Sequence, residues 1–355
     1  MVAHAVRIEA SGCVSEDLES EHGCGTLRGR GRGRRPRLTG VAAVVGRSRT
    51  SRCRRRRPCC QWRPPAGPAG HAPGHHGPVQ WSTHEIEILG DTVTKRYREG
   101  DVRALLDREW RALTLLHAHA PGLAPAPLSV DREAAPPTVV MSRVPGVPLR
   151  GAPVDAARLS ALAGTLDAMY RAVPRDRLLR VPMRPDHEAG LIAGLRTRHD
   201  RTPAPGTGAV VREALREGMA WLDGRQDRAT APDGPAPVFG AGDGNLANYL
   251  WDAETSRIAV VDFEDSGRSD RAFELAEITE HVSSWVDDGV GGGLDAAAFL
   301  ARFDLTVQER ARLRDCRRLL ALTWLFILAA ADPAHSRNPP GTAERQALRL
   351  RALLG

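Results

Sequence analysis

The chain has 355 residues and a formal net charge of +7, which is enough chain for about two domains. The charge is uneven. Residues 1–80 contain 15 arginines, no lysine and 5 acidic residues, whereas residues 81–355 contain 35 basic and 38 acidic residues. The body is therefore slightly acidic, and the basic overall balance gives no reason to expect that the body binds nucleic acid.

Cysteine usage and hydropathy argue against a disulfide-bonded secreted protein and against a membrane protein. Five of the six cysteines lie in residues 1–80, so the body, which contains only Cys316, has no disulfide framework and suits a reducing cytosol. The N-terminus lacks the apolar run of a signal peptide. The longest apolar stretch (319–331) has 13 residues, and about 20 are needed to span a bilayer. We expect a cytoplasmic protein without a membrane partner.

Residues 1–80 form an extension in which arginine, proline and glycine dominate from residue 25 onward. Such a composition buries too little apolar surface to offset the chain entropy of folding, so it predicts disorder. Two other interpretations are an arginine-rich tail for nucleic acid or membrane, and a start of translation assigned too far upstream. A nucleic-acid partner is expected, if at all, only through this extension.

A more regular pattern begins at residue 81. Apolar and polar residues alternate over 84–97 on both sides of Gly90, which predicts a β-hairpin. Apolar residues then recur with the period of a helix over 101–120, and a strand is predicted over 138–144.

The rest of the body is mainly helical, with one further hairpin embedded in it. Helices are predicted over 155–173, 208–224, 270–288, 295–303, 308–331 and 342–354. The embedded hairpin lies between the second and the third of these helices, and its strand-like run ends at Asp262. This order predicts an α+β protein with a small β-rich piece followed by a larger helical one.

The embedded hairpin carries three oxygen-bearing side chains at short spacing. Asp243 and Asn248 lie five residues apart in a loop, and Asp262 follows fourteen residues later. Such oxygens are the ligands that Mg²⁺ prefers, and two of them beside a free carboxylate are minimal equipment for phosphoryl transfer. In that arrangement Asp243 faces the acceptor hydroxyl, and Asn248 and Asp262 hold the ion. Taken alone, Gly-Asp-Gly-Asn is also good turn sequence, and it is Asp262 that favours a site.

Two motifs around these residues resemble those of the aminoglycoside phosphotransferase and choline kinase family, relatives of the protein kinases. The family's loop reads His-Gly-Asp, four residues, Asn, and here "AGDGNLAN" occupies 241–248. Its second motif runs Ile-Asp-Trp-Glu, later Gly-Asp-Pro and Asp-Leu-Ala, and here "VVDFEDSGRSDRAFELA" follows it in register. The resemblance covers about residues 81–355. It implies a bilobal protein-kinase-like fold, with a nucleotide-binding N-lobe over 81–145 and a catalytic, acceptor-binding C-lobe over 146–355.

The resemblance also implies roles for residues outside the two motifs. Lys95, the only lysine of the chain, would bind nucleotide phosphates and pair with Glu109 on the next helix. Backbone groups from Ser142 to Val144 would contact the nucleotide base between the lobes. The implied cofactors are ATP or GTP with Mg²⁺, and the implied partner is a small hydroxylated acceptor. The alternative interpretations are an exposed strand lysine and a solvated helix glutamate.

The sequence departs from the family at several places, and two of them bear most directly on activity. Ala241 stands where the loop histidine is usual, and no clear glycine-rich loop precedes Lys95. These departures leave open a second function, a catalytically weak kinase-like module that binds nucleotide and regulates a partner. The motifs do not specify the acceptor, so aminoglycosides, other antibiotics, amino alcohols and sugars all stay open.

Overall fold

The fold is described from a computed structural model of the chain. The described residues are 84–199, 207–225, 234–287, 293–332, 336 and 338–355. The predicted extension over residues 1–80 lies outside this part of the chain.

An antiparallel sheet with one helix forms the N-terminal part. Its strands are β1 (Glu85–Leu89), β2 (Thr92–Arg96), β3 (Pro127–Asp131) and β4 (Thr138–Ser142), in the order β1-β2-β4-β3, and helix α1 (Val102–His119) connects β2 to β3. The predicted hairpin is confirmed, because β1 and β2 pair around a turn in which Gly90 adopts a φ of +56°. Only glycine adopts that left-handed conformation without steric cost.

Helix α1 buries one charged residue on its apolar face. Asp101 caps the helix by accepting a hydrogen bond from the amide of Ala104, and the buried face includes Leu105, Leu113 and Leu116. Glu109 lies on the same face with a relative exposure of 1%. A carboxylate buried to that extent must have partners of its own, so the helix is built to place Glu109 against another polar group.

The C-terminal part is mainly helical. Its helices are α2 (Ala156–Ala172), α3 (Arg175–Leu178), α4 (Glu188–His199), α5 (Ala209–Gly224), α6 (Arg271–Glu280), α7 (Ala296–Leu300), α8 (Val307–Ala330) and α9 (Thr342–Leu354). Its short strands are β5 (Val147–Pro148), β6 (Pro237–Gly240), β7 (Tyr249–Asp252), β8 (Arg257–Val260) and β9 (Gly267–Asp270), with β5, β7 and β8 in one sheet and β6 and β9 in another. The embedded hairpin is thus confirmed as β7 and β8.

Two parts of this region differ from the sequence-based expectation. The helix predicted over 270–288 ends at Glu280, and a 3₁₀ turn (Val282–Ser284) follows, because the His281 side chain accepts a hydrogen bond from the amide of Ser283 and caps that turn. Helix α4 and the four-residue strands β6 and β9 were not predicted, since such short or glycine-interrupted segments carry little periodicity.

Helix α8 forms the centre of the helical part. Its apolar half, which includes Leu319, Leu322 and Leu325, is buried against α6, α9 and α5, and the helix predicted over 308–331 is confirmed. Among the described helices, none combines the length and the apolar character that a membrane crossing requires.

Asp270 joins three segments at the start of α6. Its carboxylate caps α6 by accepting from the amide of Phe273, and it accepts hydrogen bonds of 2.9 and 2.6 Å from Arg312 of α8. The Nε2 atom of His187 lies 3.4 Å from the same carboxylate. Burial alone would raise the pKa of Asp270, but the hydrogen bonds from His187 and Arg312 lower it to about 2.

We expect Asp270→Asn to lower the free energy of unfolding at pH 7 by roughly 2 kcal/mol, at about 1.4 kcal/mol for each unit by which the pKa is depressed. A depressed carboxyl pKa stabilises the fold above the unfolded value of 3.8, and this stabilisation is lost as the pH falls through about 2. Urea unfolding should therefore show equal differences from the parent protein at pH 7 and 5, and a difference of about half at pH 3.

The matched control is Asp107→Asn, which removes an exposed ion pair with Arg132 and should change the stability by less than about 1 kcal/mol. A difference for Asp270→Asn that does not shrink at pH 3 would contradict the role of the ionised carboxylate.

Candidate active site

A single buried lysine gathers three carboxylates from both parts of the fold. The Nζ atom of Lys95, on β2, lies 2.6 Å from Glu109 Oε2 on α1, 2.5 Å from Asp262 Oδ1 and 2.9 Å from Glu264 Oε2. The three carboxylates each offer an oxygen within 4.8 Å of the others. The ion pair between Lys95 and Glu109 that the resemblance implies is therefore present, and the same lysine reaches the C-terminal motif.

The charges of this ion-pair centre depend on one another. Burial would lower the pKa of Lys95, but the carboxylates of Asp262, Glu109 and Glu264 raise it well above its ordinary value, so the lysine is charged. Burial raises the pKa of Glu109, and the charge of Lys95 opposes that rise. The hydroxyl of Tyr97 also donates to Glu109, which gives this carboxylate a second partner.

Asp262 has an unusual backbone conformation. Strand β8 ends at Val260, and Asp262, two residues later, has a φ of +66°. A non-glycine residue rarely adopts this conformation, and such conformations cluster at functional sites. The Asp262 side chain is 40% exposed, whereas the Glu109 side chain is 1% exposed. Asp262 is thus the partner of Lys95 that faces open space.

The loop before β7 brings Asp243 and Asn248 together. The Nδ2 atom of Asn248 donates a 3.1 Å hydrogen bond to Asp243 Oδ2, and the amide of Asn245 donates a 2.9 Å bond to Asp243 Oδ1. The amide of Val261 donates to the backbone carbonyl of Asn248, which places Asn248 beside the segment that carries Asp262. The side-chain oxygen of Asn248 accepts no hydrogen bond from any other described residue.

The environment of Asp243 makes its carboxylate more basic than usual. Burial raises the pKa of Asp243 to about 6, and the negative charges of Asp262 and Asp265 act in the same direction. A quarter of the Asp243 side chain is nevertheless exposed. A carboxylate with a pKa close to neutral pH accepts a proton more readily than an ordinary aspartate, which suits a general base.

Close backbone packing fixes the loop that carries Asp243. Gly242 has a φ of +90°, and a Cβ atom at this position would lie 2.0 Å from the carbonyl oxygen of Asp265. The guanidinium of Arg184, which is buried, donates a 2.6 Å hydrogen bond to the carbonyl of Gly242 and a 3.0 Å hydrogen bond to Glu274 of α6. Arg184 was missed by the sequence analysis, because one arginine in a segment without periodicity gives no signal of burial.

Ser142 and Val144, which are expected to contact the nucleotide base, differ in their backbone bonding. The amide of Ser142 donates to the carbonyl of Ala126, and its hydroxyl accepts from the amide of Ala126, so Ser142 is occupied within the sheet. The amide of Val144 makes no hydrogen bond to another described residue. Of the two, Val144 is therefore the residue whose amide is available to a ligand.

We expect Gly242→Ala to destabilise the protein more than Gly151→Ala, although both glycines have a positive φ. Gly151 (φ +74°) has open space where the new methyl group would lie, so its change costs about 1 kcal/mol from backbone strain alone. At Gly242 the methyl group must also displace the backbone of Asp265, which should cost at least about 2 kcal/mol more. Urea unfolding of the two variants measures the difference, and equal stabilities would contradict the close packing of the loop.

Residues 80–347 match the phosphotransferase enzyme family, APH. No curated protein matches the sequence.

Solved structures share the fold at low sequence identity. APH(2″)-IIia, in complex with GDP and kanamycin, is 16% identical over 78% of this chain and 92% of that chain, with a TM-score of 0.55. A choline/ethanolamine kinase family protein from Mesorhizobium loti is 19% identical over 78% and 87% of the two chains, with a TM-score of 0.52. The microcompartment-associated aminopropanol kinase is 18% identical over 78% and 89%, with a TM-score of 0.50.

These likenesses confirm the predicted bilobal, protein-kinase-like fold. The match to the family model extends from the sheet of the N-terminal part to α9 and includes the ion-pair centre and the loop of Asp243. The chain therefore belongs to the phosphotransferase enzyme family.

Proposed function

We propose that this protein transfers the γ-phosphoryl group of ATP or GTP to a hydroxyl of a small molecule, with Asp243 as the residue that receives the hydroxyl proton. The observation that carries the proposal is the ion pair of 2.5 Å between Lys95 of the N-terminal sheet and Asp262. It brings the cation suited to phosphate and the carboxylate suited to a metal ion together, beside the loop that holds Asp243.

Lys95 is the residue that would bind the nucleotide phosphates. Glu109 is buried and holds Lys95 from the side of α1, so the direction of the lysine does not depend on a ligand. Asp262 is more exposed, and it is the partner that phosphate oxygens can replace at the ammonium group. The amide of Val144, which bonds to no other described residue, lies in the segment that leads out of the sheet and would hydrogen-bond the base.

Asn248 and Asp262 are suited to hold Mg²⁺. Asn248 uses its NH₂ group on Asp243, which leaves its side-chain oxygen for a cation, and Asp262 supplies a carboxylate from the adjacent segment. Both are hard oxygen donors, which fit this ion. When bound, the ion would neutralise charge on the nucleotide phosphates and fix their orientation.

Asp243 acts on the acceptor. As the acceptor oxygen forms its bond to the γ-phosphorus, the bond from phosphorus to the bridging oxygen breaks, the nucleoside diphosphate leaves with that electron pair, and the hydroxyl proton passes to the Asp243 carboxylate. Asn248 and the amide of Asn245 hold this carboxylate by hydrogen bonds, so it is oriented before the acceptor arrives. Most of the acceleration then comes from positioning.

The acceptor class follows from the charge of the site and from the neighbours. Burial and the negative charges of Asp262 and Asp265 raise the pKa of Asp243, and a site with these three carboxylates favours a cationic acceptor. Kanamycin, ethanolamine and aminopropanol, which appear in the names of the neighbours, are hydroxylated amines. We infer that the acceptor is an amino alcohol or an aminosugar. The alternative of a regulatory module without transfer gains no support from the family match or the neighbours.

We expect Asp243→Asn to lower phosphoryl transfer by roughly 10²–10⁴-fold, because the amide cannot accept the proton, while the affinity for the nucleotide with Mg²⁺ stays within about threefold. The measurement is nucleoside diphosphate release over a panel of amino alcohols and aminosugars, with calorimetry for nucleotide binding. Asp107→Asn, which changes an exposed residue far from Asp243 in the sequence, serves as the control. Equal turnover by Asp243→Asn and the parent protein would remove Asp243 from the mechanism.

We expect Asn248→Ala to raise the Mg²⁺ concentration required for half-maximal activity by about tenfold, because one of two protein ligands is lost. A Mg²⁺ titration of the transfer rate at saturating nucleotide measures the shift. The same change outside the loop, Asn338→Ala, should leave the Mg²⁺ requirement unchanged. If both variants have the Mg²⁺ dependence of the parent protein, Asn248 is not a ligand.

A further inference from the structure

A histidine from another part of the chain faces the carboxylate of Asp243. The Nε2 atom of His281 lies 3.4 Å from Asp243 Oδ1. His281 follows the last residue of α6, and its side chain is 6% exposed. Within the loop itself, Ala241 is buried and has only a methyl group, so it offers Asp243 no side-chain hydrogen bond.

The surroundings of His281 fix which of its nitrogens carries the proton. The amide of Ser283 donates a 3.1 Å hydrogen bond to Nδ1, so Nδ1 is an acceptor and carries no proton. Burial and the nearby charge of Arg150 lower the pKa of His281 well below its ordinary value, so the ring is neutral. A neutral imidazole with a bare Nδ1 has its proton on Nε2, the atom that faces Asp243.

The ring is also held in place by packing. It meets the ring of Trp324, on α8, edge to face, with ring centroids 4.6 Å apart and an interplanar angle of 82°. The hydroxyl of Ser283 lies 2.7 Å from His281 Nδ1 and accepts a 2.9 Å hydrogen bond from the amide of Leu246. The turn after α6 therefore contacts the loop 241–248 that carries Asp243 (the catalytic loop) twice, at Asp243 through His281 and at Leu246 through Ser283.

We propose that His281 is a positioning residue for Asp243, whose carboxylate it holds through Nε2–H in the orientation that meets the acceptor hydroxyl. The contact of 3.4 Å is long for a hydrogen bond, and hydrogen bonds of this kind tighten when the reacting complex forms. The proposal rests on the proposed role of Asp243. It assigns His281 no contact with the substrate or the nucleotide.

Two substitutions of His281 test the roles of its two ring nitrogens separately. His281→Gln places an N–H donor near the position of Nε2 and loses the acceptor for Ser283, whereas His281→Asn retains an acceptor near Nδ1 and loses the donor to Asp243. We expect His281→Asn to lower kcat by at least about tenfold, with the KM for nucleotide within about twofold, because a misplaced carboxylate slows transfer and does not weaken nucleotide binding. His281→Gln should keep kcat within about threefold of the parent value.

The proposal is tested by which of the two variants has the higher kcat. A kcat for His281→Asn equal to or above that of His281→Gln would overturn it, as would an effect confined to the KM for nucleotide. The rates are measured on the full chain, as transfer to the best acceptor of the panel and as Mg²⁺-dependent nucleotide hydrolysis, in which water takes the acceptor's place.

A second measurement does not depend on turnover. In ¹⁵N NMR spectra of the full chain, the His281 signals, assigned by their loss in His281→Asn, should show a proton on Nε2 and none on Nδ1. They should shift in Asp243→Ala and stay unchanged in Asp107→Ala. A proton on Nδ1, or no shift in Asp243→Ala, would overturn the contact. Absence of any transfer or hydrolysis by the parent protein would instead refute the proposed function, and the spectra would still decide whether His281 holds Asp243.

Discussion

The candidate active site depends on the pairing of one buried cation. Lys95 is 4% exposed, and its ammonium group is stable there only because Glu109, Asp262 and Glu264 surround it. Removing one partner from such a pair leaves an uncompensated buried charge, which costs several kcal/mol. The three carboxylates outnumber the single lysine, and this excess negative charge favours binding of a divalent cation at Asp262, the one carboxylate of the centre that is proposed as a ligand.

Glu109 and Asp262 have different roles around Lys95. Glu109 is enclosed by α1 and Tyr97 and keeps the lysine directed towards Asp262. Asp262 is partly exposed and has a strained backbone, so it is the partner that can turn to another ligand. With one fixed partner and one exchangeable partner, the same lysine would remain paired in the free protein and could also bind the phosphates of the proposed nucleotide.

Residues from the start of helix α6 to the position after its end support the catalytic loop. Asp270 ties its start to α8, Glu274 holds Arg184 against the carbonyl of Gly242, and His281 at its end faces Asp243. The loop approaches α6 so closely that a Cβ atom at Gly244 would lie 2.4 Å from the carbonyl oxygen of Glu277. Rigid packing of this kind explains how a loop without regular structure can hold a carboxylate in one orientation.

The sequence by itself determined the elements with strong periodicity and the residues with motif spacing. The hairpin around Gly90, helix α1 and the buried half of α8 follow from local alternation or helical period, and the spacing of Asp243, Asn248 and Asp262 indicated the candidate site. Tertiary structure alone decided that Asp262 contacts Lys95, that the amide of Ser142 is occupied within the sheet, and that Arg184 and His281 reach the catalytic loop. These contacts join residues between 16 and 167 positions apart, and local propensity carries no information about such distances.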